Sequence, residues 1–319
     1  MHEFHLIKKY FSKLSNKNKS SLNLNDDVFF DKSKKLVISM DTYVEGIHFI
    51  NFKKPDLVIK KIIRSSISDI ICKGVKPKYY FISGSGNKRS FSSTNLKKIS
   101  KSLKQEQDKY NIFLCGGDTV YSNKLSFTVT TVGFSQKIIL RNKAKLNDNI
   151  YVTGNLGDSF AGLNILKKKI SINNSLNKYF EGKYYLPDLH LKLSNKLLTF
   201  ANTSIDISDG LIADLEKLLN NQQFSYKLNL DSIPISKNLK KLIIQKKLDK
   251  TAYISQGDDY QILFTANSSK SRIINKTSKS LGIKISKIGK ICSNSEKSQI
   301  IDQKGNKIAV KTKGYSHRF

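Results

Sequence analysis

The sequence predicts an α/β (α+β) protein of two domains. Strand-like and helix-like segments alternate in both halves of the chain. In "DLVIKKIIRSSISDIICKG" the apolar residues fall at 58/59, 62/63, 67 and 70/71, the spacing of a helix face. A second beginning (strand, glycine turn, helix) follows in "NDNIYVTGNLGDSFAGLNILKKK". With 319 residues, 39 % of them apolar, the chain is long enough for two medium domains around a sizeable core.

Taken in order, "KKLVISMDTYVEGIHF" reads as a strand running into a loop, and Gly74 and Pro77 end the helix that follows. "KYYFISGSG" reads as a strand, and "STNLKKISKSLKQEQDKY" as a helix with a serine/threonine start. "NIFLCGGDT" and "KLSFTVTTVGF" are strands. The expected boundary lies here, with domains at 1–147 and 148–319. Beyond it come a helix near 189–200, "TSIDISDGLIADL" opening another helix, and a strand at 226–233. "DDYQILFTA" and "IKISKIGKIC" read as strands flanking a helix in "SKSRIINKTSKSLG". "SQIIDQKGNKIAV" is a hairpin turning at Gly305-Asn306.

Composition excludes several classes. No apolar run approaches the ~20 residues of a membrane span, and "MHEFHLIKKYFSK" has no h-region of a secretory signal. Cys72, Cys115 and Cys292 are far apart and show neither disulfide nor metal spacing, so a reducing, cytoplasmic setting is expected. The net charge of +31 suggests a nucleic-acid partner. The lysines are dispersed, however, without an arginine-rich arm or a zinc module, so no nucleic-acid partner is expected.

The chain has only 25 acidic residues, and many abut apolar runs or glycines: "NDDVFF", "LVISMD", "SISDI", "IFLCGGD", "SIDISD" and "GDDYQILF". Singly, each is an ordinary cap or turn residue. Together, carboxylates at the ends of buried strands need counter-charges, and converging aspartates point to bound cations. Oxygen ligands without a Cys/His cluster favour Mg²⁺, completed by a polyphosphate. Asp214, further into its helix, is expected to face solvent. "TGNLGDSFAGL" places Gly154 and Gly157 between a strand and a helix start, a phosphate-binding geometry. No Walker A or protein-kinase signature is present, so ATP use would require another type of site.

These motifs, with "ISMDTYVEGIHF", "SISDIICKGVKP", "CGGDTV", "IDISDGL" and the terminal "KGYSHRF", resemble in order those of the thiamine-monophosphate kinase family, from about residue 3 to the last. The resemblance implies the two-domain aminoimidazole-ribonucleotide synthetase-like architecture, an N-terminal mixed sheet with helices followed by a C-terminal α/β domain. It implies transfer of the γ-phosphate of ATP to thiamine monophosphate, several Mg²⁺ ions, and a homodimer paired through the N-terminal domains. By resemblance, Asp27, Asp41, Asp69, Asp118, Asp206 and Asp209 are Mg²⁺ ligands, with further contacts at Ser39 and at the backbone carbonyl of Met40. Tyr110, Gly117, Asp118, Arg141 and Ser208 contact the nucleotide, and His48, Asp258 and Tyr315 hold the thiamine substrate. No general base is implied, because the acceptor is already an anionic phosphate oxygen.

The chain departs from the family pattern at Asn25 and Gln256, where glycine is usual, and at Asp258, where glutamate is usual. It also has His190 in "PDLH", where an arginine is usual. These departures lie mainly on the thiamine side. Two alternatives stay open: another ATP-using member of the superfamily, and a basic nucleic-acid-binding protein on an inactive enzyme fold. The second predicts steeply salt-dependent nucleic-acid binding and no ATP turnover.

Overall fold

The computed structural model describes residues 3–316, so the last three residues of the "KGYSHRF" motif lie outside the described residues. Two short helices, α1 (Glu3–Leu6) and α2 (Ser12–Ser15), lead to strands β1 (Phe29–Asp31) and β2 (Leu36–Val44). Helix α3 (Pro55–Cys72), β3 (Pro77–Gly86), α4 (Ser93–Tyr110), β4 (Phe113–Tyr121) and β5 (Ser126–Phe134) complete the first half. The sheet order is β1-β2-β5-β3-β4. All pairs are antiparallel except β3 and β4, and α4 supplies the crossover that a parallel pair requires.

The second half contains β6 (Asn149–Thr153), α5 (Asp158–Leu166), α6 (Asn174–Tyr185), α7 (Ser194–Leu197), β7 (Thr203–Asp206), α8 (Leu211–Leu219) and β8 (Phe224–Asn229). Then follow α9 (Lys237–Lys246), α10 (Lys250–Ile254), β9 (Ile262–Ala266), α11 (Ser271–Leu281), β10 (Ile285–Ser293) and β11 (Gln299–Ile301). Its sheet runs β11-β8-β10-β6-β9-β7. Every residue of β6, β7 and β9 is buried, although β7 (TSID) has only one apolar residue and so buries polar side chains.

Helix α3 positions the site. It begins with Pro55, whose fixed φ suits a first helical turn, and stops before Gly74, which has φ +82°. Val58, Ile59, Ile62, Ile63, Ile67 and Ile71 are all at most 1 % exposed. They are buried on both sides because α3 lies between β2 and β5 on one side and β7, α6 and α7 on the other. A helix buried all round has little room for polar side chains, so those it carries must find partners across the two halves. Ser204 Oγ of β7 donates to Cys72 O at 2.5 Å, and Lys73 Nζ to Ser204 O at 3.0 Å.

Some expected elements take another form. The helix near 189–200 is a 3₁₀ turn at Leu191–Leu193 followed by the four-residue α7. The strand at 226–233 ends at Asn229, whose side chain accepts from Asp231 N and Ser232 N and turns the chain. The hairpin at Gly305 is a single bridge between Ile301 and Lys307, with Gly305 at φ +86°. Helices α6 and α9 have polar, lysine-rich sequences, and the periodicity reading passed them over.

Candidate active site

The C-terminal half of α3, the middle of β2 and the end of β7 bring three carboxylates together. Asp41 comes from β2, Asp69 from α3 and Asp206 from β7. The Tyr43 hydroxyl donates to Asp41 Oδ2 at 3.2 Å and contacts Ser66 Oγ at 3.0 Å. Asp41 and Asp69 share a hydrogen bond, and Ser68 Oγ donates to Asp206 Oδ2. Among the described residues none of the three carboxylates forms an ion pair. Burial pushes Asp41 up to about 6 against its hydrogen bonds from Tyr43 and Asp69, and pushes Asp206 up to about 6 against that from Ser68. Asp69 lies well above the ordinary carboxylate range, first through burial and then through the charges of Asp41 and Asp206. Among the described residues no ion pair neutralises this trio, although the charge of nearby Lys73 acts to lower Asp69 and Asp206.

The neighbouring carboxylates are paired by the chain itself. Asp26 Oδ1 and Asp27 Oδ2 lie 2.8 and 2.7 Å from Lys73 Nζ. Arg141 donates to Asp26 Oδ2 from its backbone at 2.8 Å and to Asp27 Oδ2 from Nε at 3.0 Å, and its Nη2 contacts Asp27 Oδ1. On the far side Lys217 Nζ lies 2.5 Å from Asp209 Oδ2 and 2.8 Å from Asp214 Oδ1. Asp214, expected to face solvent, is fully buried. Its Oδ2 accepts from Asp209 N at 2.9 Å and Gly210 N at 3.0 Å, so it braces the start of α8 from below.

Asp118 and Gly117 stand on β4, an edge strand whose residues are all exposed. Asp118 pairs in register with Ser83 and accepts from Thr119 N at 2.8 Å. A Cβ on Gly117 would lie 1.8 Å from Ile82 O, so only glycine lets β4 run this close to β3. Ser39 is 3 % exposed and donates to Ser66 O at 3.3 Å, whereas the Met40 side chain is 69 % exposed on the other face. Tyr110 is buried at the end of α4, in a different groove with Tyr79, Phe134 and Leu191. From Phe113 to Asp118 the strand covers ~17 Å at ~3.4 Å per residue.

At the positions expected to hold the substrate, Asp258 N donates to Ser208 O at 2.9 Å, and a Cβ on Gly257 would sit 1.6 Å from Ser208 O. Asp258 is held at φ +66°, with Lys61 Nζ 2.9 Å from its Oδ2 and the Tyr260 hydroxyl donating to its Oδ1 at 3.1 Å. Lys61 is buried, makes no well-directed hydrogen bond, and rests 3.5 Å above the Tyr184 ring. His48 Nδ1 accepts from Val44 N at 2.9 Å, leaving the proton of the neutral ring on Nε2. Tyr315 N donates to Asp209 O at 2.9 Å, drawing the C-terminal segment over the start of α8. The departures have partners too. Gln256 Nε2 donates to Thr312 Oγ1 at 3.3 Å, Asn25 Oδ1 accepts from Asn220 Nδ2 at 3.2 Å, and His190 Nε2 contacts Gln261 Oε1 at 2.7 Å.

Lys61, Lys73 and Lys217 escaped the sequence reading. Lys73 carried a signal, standing four residues after Asp69 in an otherwise apolar helix end. In a chain so rich in lysine, that signal was submerged.

Among the described residues no three carboxylate, imidazole or thiol groups converge closely enough to enclose a metal as they stand. The fit to a divalent cation is therefore one of donor chemistry: oxygen ligands at half-buried Asp41 and Asp69 and at buried Asp206, without an ion pair among the described residues, and the hydroxyl of Ser39 near them along β2.

Two sheets with a carboxylate cleft between them define the class. The model of the AIR synthase related protein, N-terminal domain, matches residues 25–135. The complex of AaThiL with AMPPCP and TMP superposes with a TM-score of 0.84 at 25 % identity, covering 99 % of this chain and 97 % of that one. Thiamine monophosphate kinase from Aquifex aeolicus superposes with a TM-score of 0.80 at 26 % identity, covering 97 % and 99 %. Thiamine-monophosphate kinase of Buchnera aphidicola subsp. Schizaphis graminum is 36 % identical over 324 residues, 99 % of this chain and 98 % of the relative. The chain belongs to the thiamine-monophosphate kinase family.

Proposed function

We propose that the cleft transfers the γ-phosphoryl group of ATP directly and in line to thiamine monophosphate, giving thiamine diphosphate and ADP, the last step of thiamine diphosphate biosynthesis. The chain is a thiamine-phosphate kinase by family, and the AaThiL structure with AMPPCP and TMP supports ATP and thiamine monophosphate as its substrates. The observation that carries the reading is the trio of Asp41 and Asp69, half-buried, and Asp206, buried, whose carboxylates form no ion pair among the described residues.

Asp41, Asp69 and Asp206 would hold magnesium, with Ser39, the Met40 carbonyl, Asp118 and Asp209 as further contacts that the family pattern assigns; the pattern also names Asp27, which Lys73 and Arg141 already pair. Magnesium supplies charge neutralisation and alignment of the phosphate oxygens. Gly117 and Asp118 on β4, like Tyr110, are nucleotide contacts by family pattern, and Ser208 and Arg141 flank the cleft. His48, Asp258 and Tyr315 line the acceptor side. Lys61 and Tyr260 fix the Asp258 carboxylate, which offsets its shorter reach. The attacking group is a phosphate oxygen already ionised, so the residues position and neutralise and none serves as a base.

The reading extends to a homodimer through the N-terminal sheet, supported by the exposure of Phe113, Leu114, Val120 and Tyr121 on β4. A cytoplasmic setting is part of the same reading; among the described residues no helix is long and apolar enough to cross a membrane.

Pure protein given ATP, Mg²⁺ and thiamine monophosphate is expected to form thiamine diphosphate and ADP in equal amounts, read by chromatography. Asp118→Asn should be slower by ~100-fold or more. ADP release without diphosphate would refute the substrate assignment.

A further inference from the structure

We propose that Lys73 is a resident cation of the carboxylate cleft: its ammonium neutralises Asp26 and Asp27 in place of a metal ion, so that Asp27 takes no divalent ion of its own. This rests on the reading that the cleft binds divalent cations at Asp41, Asp69 and Asp206.

The inference follows from a count of donors and acceptors. An ammonium has three N–H groups. Those of Lys73 meet Asp26 Oδ1 at 2.8 Å, Asp27 Oδ2 at 2.7 Å and Ser204 O at 3.0 Å. Each carboxylate has three of its roughly four acceptor positions taken. Asp26 Oδ1 accepts from Lys73 and from Asp27 N at 2.9 Å, and Asp26 Oδ2 accepts from Arg141 N at 2.8 Å. Asp27 Oδ1 meets Arg141 Nη2, and Asp27 Oδ2 meets Lys73 and Arg141 Nε. Two negative charges face two positive ones.

Burial makes this arrangement durable. The Lys73 side chain is 0 % exposed, those of Asp26 and Asp27 5 % and 12 %, and that of Arg141 8 %. Removing a buried ammonium from its partners leaves an uncompensated charge, which is strongly unfavourable. A hard cation approaching Asp27 would meet the positive charges of both Lys73 and Arg141 already on that carboxylate. The segment is also tied at the backbone, where Ile139 N donates to Lys73 O at 3.0 Å and brings Arg141 alongside. Among the described residues Asp41, Asp69 and Asp206 lack any such ion pair, so incoming divalent ions are directed to them.

The test counts ions rather than turnover. Mn²⁺ is titrated into the full chain with AMPPCP, and the free ion is followed by electron paramagnetic resonance. Wild type and Asp27→Asn are expected to bind the same number of ions with affinities within about twofold, whereas Asp206→Asn loses an ion or weakens by about tenfold. Lys73→Met, which removes one of the two positive charges on the Asp26–Asp27 pair and opens an acceptor position on each, is expected to bind one ion more, or the same number about tenfold tighter. Loss of an ion in Asp27→Asn would overturn the proposal even if Lys73→Met failed to fold, because Lys73 keeps Asp26 and Ser204 O in that variant. If Asp206→Asn and Asp27→Asn both bind as wild type does, the reading of the cleft itself fails and the proposal with it. If Asp27→Asn alone loses an ion, only the role of Lys73 fails.

Discussion

At the scale of single residues, the site separates two kinds of aspartate that look alike in the sequence. Asp27 and Asp209 carry lysine or arginine partners, whereas Asp41, Asp69 and Asp206 have hydroxyls and each other. This difference has a pH signature. Asp41 and Asp206 are pushed up to about 6 from 3.8, mainly by burial. A carboxyl raised on folding stabilises fully below its unfolded value and loses that contribution as pH rises through the folded one. Without divalent ions, the melting temperature is therefore expected to fall as pH rises from about 4 to about 7. Millimolar Mg²⁺ should raise it at pH 7.5 and have little effect near pH 4, where the trio is protonated. Thermal melts with and without the ion check this, and a Mg²⁺ effect equal at both pH values would contradict it. None of this pairing was legible beforehand, because partners from Lys61, Lys73 and Lys217 are set by three-dimensional proximity in a chain with lysine everywhere.

At the scale of elements, α3 and the start of α8 carry the site. The spacing of isoleucines made α3 legible, and the observed helix matches it closely. The carboxylates at strand ends were legible as a group because acidic residues beside apolar runs are costly unless they have a purpose. Asp214 was misjudged for a physical reason. Its place in the first turn of α8 suggested solvent, yet the glycine before it lets the chain fold back so that two backbone N–H groups converge on its carboxylate. Asp214→Ala is expected to destabilise by about 2–4 kcal/mol, since charged hydrogen bonds are lost and buried N–H groups are left open. Urea unfolding measures this, and a change below about 0.5 kcal/mol would rule the bracing role out.

At the scale of the whole molecule, the two halves share one core through α3, and the cleft exists only where they meet. The architecture was legible from alternation and from the glycine turn at Gly154–Gly157. The order of strands within each sheet was not, because register and crossover depend on contacts distant in sequence. The exposed β4 edge belongs to this scale. Leu114→Lys is expected to shift the protein from dimer to monomer in sedimentation while leaving the fold intact by circular dichroism. A wild-type monomer would contradict that pairing.

Asp206→Asn gives the most direct measurement of the central claim, that the carboxylates of Asp41, Asp69 and Asp206 bring ATP and an anionic acceptor together. The rate of thiamine diphosphate formation at saturating Mg²⁺ is expected to fall by ~10³-fold. The melting temperature of the ion-free protein at pH 7.5 should stay level or rise, because a costly buried charge is gone. A variant that turns over near the wild-type rate would contradict the claim.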